Sequence, residues 1–163
     1  MNTTRVYVPS TLSRVKEIVA SGGIGPGPIL AHAVTDALRA EYADGTDEDW
    51  EYAALSAAAH DSLALIAEDD TARRVVIAVD ASSVIPVEQG DLTLVEVHEV
   101  IPAAKIAAVL VDTEEAEPDV AAAATSWVEA ERGDAAASTV VERCMDRELA
   151  WFASQEIGDL LET

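Results

Sequence analysis

From Asp47 to Glu68 the chain runs without a glycine or proline, and its apolar residues fall into two lanes. Tyr52, Leu55, Ala59, Leu63 and Ile66 recur at helical spacing on one flank, and Trp50, Ala53, Ala57 and Ala64 on the other. The pattern predicts a helix covered on both sides in the middle of the fold. Its large side chains suit a sheet, and its alanines let another helix approach closely. Thr46 and Asp49 have the spacing of a capping box, and Asp47 and Glu48 put negative charge at the positive end of the helix dipole.

The same reading extends along the chain. Thr4 to Pro9 is a short β-rich run, and Ser10 or Thr11 caps a helix carrying Leu12, Val15, Ile18 and Val19 on one face until Ser21-Gly22-Gly23. Ile29 to Val34 is a strand with Leu30, His32 and Val34 on one side, and a short helix after Thr35 pairs Leu38 with Tyr42. Val75 to Val79 is unbroken apolar sequence, as in a strand covered on both faces. Asp80 to Gly90 reads as an irregular connection, Asp91 to Val100 as an edge strand, and Ile106 to Val111 as a further strand. Glu117-Pro118-Asp119 opens a helix that turns Val120, Ala124, Trp127 and Val128 inward and ends at Gly133. Thr139 and Glu142 have capping-box spacing, and the last helix is predicted to run to about Ser154 or on to Leu161. The expected architecture is a single α/β domain over residues 1–163, with α+β possible, in which about five helices pack a mixed sheet of about five strands.

Composition narrows the partners. The chain has 163 residues, ten Lys and Arg against thirty-one Asp and Glu, and a net charge of −21. Binding a phosphate backbone needs clustered cations, and Arg73-Arg74 is the one adjacent basic pair, so nucleic acid is not expected as a partner. Half the residues are apolar, yet no uninterrupted apolar run approaches the roughly 20 residues of a membrane span. MNTTRVYVPS lacks the pattern of a signal peptide, which makes the cytoplasm the expected location. The single Cys144 reads as a buried thiol.

Candidate chemistry is sparse. GGIGPGP follows a helix, contains two prolines and lacks the Lys and Ser or Thr of a phosphate loop, so it reads as a rigid connection. Glu96 and His98 share a strand face without a third ligand nearby, and no metal or cofactor is expected. His60 and His32 read as hydrogen-bonded core or boundary histidines. Asp80-Ala81-Ser82 stands where a strand leaves the sheet and is accounted for by turn formation. The chief anomaly is the last predicted helix, whose stripe of Val141, Cys144, Met145, Trp151 and Phe152 holds Glu148 and Gln155 near its centre. A carboxylate there needs a cation, hydrogen-bond donors or a proton. One reading pairs Glu148 with Arg5, His32, His98 or Lys105 or has it cap exposed backbone, and another leaves this face exposed. A third makes Glu148, with Gln155, Trp151 and His32, a ligand-binding set beside the C-terminal helix.

RVYVPSTL, AHAVTDALRAEY with EYAALSAAAHDSL, RRVVIAVD, IAAVLVD and RELAWFASQEIGDLL together resemble an actinobacterial family of uncharacterised proteins, a domain of unknown function. The resemblance spans nearly the whole chain and implies kinship and a cytoplasmic location, with no reaction, cofactor or functional residue. The expected function is a non-enzymatic binding or regulatory domain acting through a protein partner or a homo-oligomer. The alternative is a small-metabolite binder or small enzyme with a pocket that uses Glu148.

Overall fold

The computed structural model describes residues 2–162; Met1 and Thr163, which the expected domain includes, lie outside the described residues. The fold is built outward from β1 (Thr4–Ser10), whose alternation sends Val6, Val8 and Ser10 to one face and Tyr7 to the other. Thr11 accepts from the Arg14 amide to cap α1 (Leu12–Ser21), and Gly22 closes the helix at φ +93°, in the left-handed region that glycine enters without strain. The connection from Gly22 to Pro28, with the short β2 (Gly23–Ile24), then returns the chain to the end of β1 at which α1 began. For that reason β3 (Ile29–Ala33) runs antiparallel to β1, pairing Tyr7 with His32 and Val6 with Ala33. The loop packs closely: a Cβ on Gly27 would stand 2.7 Å from the Val97 carbonyl oxygen.

On its other side β1 pairs antiparallel with β4 (Val75–Ala81), and β4 with β8 (Ile106–Val111). β5 (Val84–Pro86) and β6 (Leu94–Val97) form a hairpin that joins β3, while β7 (Ile101–Pro102) pairs with β2 as a separate two-stranded ribbon. With β9 (Ala150–Ala153) the main sheet has seven strands in the order β5-β6-β3-β1-β4-β8-β9. Every pairing is antiparallel, so the fold is α+β and the sheet is larger than expected and not mixed. The predicted edge strand β6 is internal, because part of the stretch read as irregular supplies β5 beyond it.

One face of the sheet, with Val6, Ala33, Ile77, Val79 and Val97, is covered by Val15 of α1 and by Ile157 and Leu160 of α6 (Ile157–Leu161). On the other face α2 (Asp36–Glu41) leads into α3 (Asp47–Leu63), which starts at the predicted Thr46–Asp49 capping box. α3 meets the sheet only partly through the expected lane, since Leu55 and Ala59 pack on the strands with Ala58, which lies in neither lane, while Leu63 does not. Ala58 and Ala59 meet Val76, Ala78 and Leu110, while Leu63 meets α4 (Glu117–Glu131) and α5 (Ala135–Met145) through Val120 and Val141. Small side chains let the helix sit close to the strands, and Tyr52 is left 60% exposed. Ser62 fixes this approach, donating to the Ser10 carbonyl at 2.8 Å and accepting the Val75 amide at 3.0 Å. Val128, predicted to turn inward, is exposed.

The largest departure is at the C-terminal end. α5 is capped by Asp134, which accepts from the Ala137 amide, not by Thr139 and Glu142, and it stops at Met145. The segment beyond is held out of a helix from two sides. The Arg147 carbonyl accepts from the Arg74 guanidinium at 2.9 Å, and Arg147 Nε donates to Asp119 at 2.6 Å. Residues 150–153 then extend along β8, placing Trp151 opposite Leu110.

Candidate functional site

The predicted constellation around Glu148 does not assemble. Glu148 lies in the connection between α5 and β9, Trp151 on β9 with 62% of its surface exposed, and Gln155 in the exposed turn that follows. Glu148 alone of the three lines a cleft of about 250 Å³, together with Tyr52, Leu55, Ser56, Arg74 and Met145. The charge at its floor is already matched. Arg74 and Asp112 are both 1% exposed and joined by two bonds, Nε to Oδ2 at 2.8 Å and Nη2 to Oδ1 at 2.7 Å, while the Arg74 amide also donates to Oδ2 at 2.8 Å. Burial opposes the charge on Arg74, but Asp112 raises its pKa above the ordinary value. Arg74, read from sequence only as half of a basic pair, is therefore the anchor of the α5–β9 connection. Cys144 is buried beside it, and burial pushes its thiol up to about 11, which leaves it protonated at neutral pH.

The fourth candidate, His32, is part of a different assembly. Its ring is 1% exposed and hydrogen-bonded on both nitrogens, Nδ1 to the Thr93 hydroxyl at 2.8 Å and Nε2 to Asp61 Oδ2 at 2.6 Å. With Nε2–H donated to Asp61, Nδ1 accepts from the Thr93 hydroxyl, so both ring nitrogens are satisfied. Three strands or helices place these groups. Pairing of β3 with β6 sets His32 beside Leu94, next to Thr93, and α3 crosses over β3 so that its last turn delivers Asp61. Burial alone would raise the Asp61 pKa, but His32, and then His60 at 3.7 Å, more than offset that and hold it at about 2. His60 is a boundary residue as expected, its ring 4.4 Å from Trp127, which is half-buried.

Asp61 is the member of this group that reaches the surface, with 40% of its side chain exposed. It lines a groove of about 540 Å³ between α1 and the end of α3, walled by Val8, Ile18, Ile24, Ile29 and Leu65. Sequence reading missed Asp61 and Thr93, because a histidine 29 positions from its carboxylate partner and 61 from its hydroxyl has no local spacing signature. The available signal was indirect: a histidine within a predicted inner strand has to find polar partners somewhere.

The other expectations are quickly placed. His98 Nε2 and Glu96 Oε2 are 2.9 Å apart on the sheet, and no group of three metal-ligating side chains occurs among the described residues. Ser82 and Ser83 turn their amides onto the Glu99 carboxylate at 2.6 and 2.8 Å, which holds that acid below its ordinary pKa and accounts for the turn after β4. No helix among the described residues is long and apolar enough to cross a membrane.

Comparison with known protein families finds a match over residues 4–161. The chain belongs to DUF6912, a family of unknown function. The extent of the match places the whole sheet, the His32–Asp61 pair and the Arg74–Asp112 pair within the family domain. No curated protein and no solved structure matches the chain.

Proposed function

We propose that the protein is a binding domain that holds a basic partner protein on the outer half of its sheet. The observation that supports this reading is one cross-strand row. The register sets Leu30 of β3, Glu96 of β6 and Ile85 of β5 side by side on the face that carries α3, and Leu30 and Ile85 are 58% and 54% exposed. α3 covers β1, β3 and β4 on that face. Strands lie about 4.8 Å apart and a helix with its side chains is about 10 Å wide, so the lane left over β5, β6 and the outer side of β3 has the width of one further helix. Apolar residues flanking a carboxylate suit an amphipathic segment with a Lys or Arg beside its apolar face. A second copy of the chain fits the lane less well, since each copy carries a net charge of −21.

The test places a photo-crosslinking residue at position 85 and, as a control, at the exposed position 128 on α4, in extract of the native host. The expected result is a discrete product with a basic protein from position 85 only, lost when Leu30→Asp is introduced. The same products from both positions, or a product between two copies of the chain, overturns the reading.

A further inference from the structure

We propose that the groove between α1 and the end of α3 is a second site, which binds an organic ammonium group carried on an apolar chain. It adjoins the sheet lane above at Leu30, which lines both, and does not depend on that reading. The groove is of ligand size, about 540 Å³, and Asp61 is the one acid and Arg14 the one base among the residues that line it. Arg14 is exposed on α1 and forms no ion pair with Asp61, whose carboxylate is the negative charge of the groove.

The geometry of that carboxylate selects the ligand. Oδ2 is taken by His32 at 2.6 Å, and Oδ1 stands 3.7 Å from His60 Nδ1, beyond hydrogen-bond length. A guanidinium binds best through two parallel bonds to both carboxylate oxygens, and here one oxygen is occupied. An ammonium group needs a single oxygen and places its remaining N–H donors toward solvent at the groove mouth. The ring of His32, itself held by Thr93, fixes the orientation of the carboxylate before any ligand arrives, which removes part of the ordering cost of binding. Val8, Ile18, Ile24 and Leu65 provide the surface for the apolar chain.

The same chemistry is presented by a free amine and by a lysine side chain of a peptide, and two probes separate them. The ¹⁵N-labelled full chain is titrated with 2-phenylethylammonium and, separately, with the blocked peptide Ac-Leu-Lys-Leu-NH₂, while backbone amide shifts are followed. Saturable shifts at Ile18, Ile24, Asp61 and Leu65 are expected with at least one probe, and which probe binds more tightly identifies the source. Asp61→Asn is expected to weaken that binding by at least about tenfold, the order of one lost charge-assisted hydrogen bond. The neutral isostere 2-phenylethanol, titrated into the unaltered protein, is expected to bind at least about tenfold more weakly than the ammonium, and this comparison stands even if the variant misfolds. Equal binding of the alcohol, shifts confined to other parts of the chain, or no saturable shift with either probe overturns the proposal.

Discussion

Arg74 and Asp112 close on one another through two side-chain hydrogen bonds, whereas Asp61 gives one oxygen to His32, keeps the other 3.7 Å from His60 Nδ1, and lines a groove. Both pairs lie on the face of the sheet that carries α3, and both join a buried base to a carboxylate, but only one reaches the surface. The Arg74 guanidinium spends its donors on Asp112, the Arg147 carbonyl and the Met145 sulfur, and the Asp112 side chain is 0% exposed. A closed pair of this kind fixes chain path. In the second pair the imidazole is sealed and the acid is 40% exposed, so the buried partner orients a group that still meets solvent. Burial of a charge marks structure when both partners are enclosed, and a candidate site when one of them is left partly open.

Breaking the closed pair carries the largest expected effect. Asp112→Ala leaves a guanidinium buried without its carboxylate and is expected to cost about 3–5 kcal/mol, read as a loss of most of the urea midpoint. The double change Arg74→Met with Asp112→Leu removes both charges and is expected to recover most of that loss. If the single and double variants are equally unstable, the ion pair is not what holds the α5–β9 connection. An intermediate effect is expected for Thr93→Val, which removes the donor to His32 Nδ1 and leaves a buried ring nitrogen unpaired, at about 1–3 kcal/mol. A midpoint unchanged by that substitution would remove Thr93 from the orienting chain.

The smallest stability effect belongs to the open pair. Asp61→Asn keeps an acceptor for His32 Nε2–H and is expected to shift stability by less than about 1 kcal/mol at neutral pH, since its side chain is partly exposed. Its signature lies in acid. The folded pKa is about 2 against an ordinary 3.8, so the charged carboxylate stabilises the fold above about pH 4 and that contribution is lost as pH falls through about 2. Denaturation midpoints followed from pH 5 to about 2 are expected to converge for the Asn variant and the unaltered protein as the acid is protonated. A constant gap over that range contradicts the role given to the charge of Asp61.

What the sequence made legible follows the range of the forces involved. β1, α1 and α3 are bounded by local chemistry, the caps at Thr11 and Thr46 and the left-handed Gly22, and all of it lies within a few residues of the boundary it sets. The end of α5 is set by Arg74, which reaches the Arg147 carbonyl from 73 positions away, and no glycine or proline marks the stop. Trp151 and Phe152 therefore read as a continuation of the helix, and Glu148 as a buried anomaly, although it lies exposed in a connection. His32 was visible as a residue and hidden as a pair, because its partners come from a helix and a strand that only the tertiary fold brings to it. The outer sheet was hidden for a similar reason: three residues, Val84–Pro86, suffice to turn the predicted edge strand into an internal one.

The order of the sheet also sets the order in which it can be assembled during synthesis. Of the seven strands the first in the chain is the central one, with β3 and β4 on its two sides. The β5–β6 hairpin extends one flank as a unit, and β8 and β9 extend the other, so each addition meets an edge that is already present. In chain order the sheet thus runs from the middle outward, and β9, with Trp151, is the last of its strands.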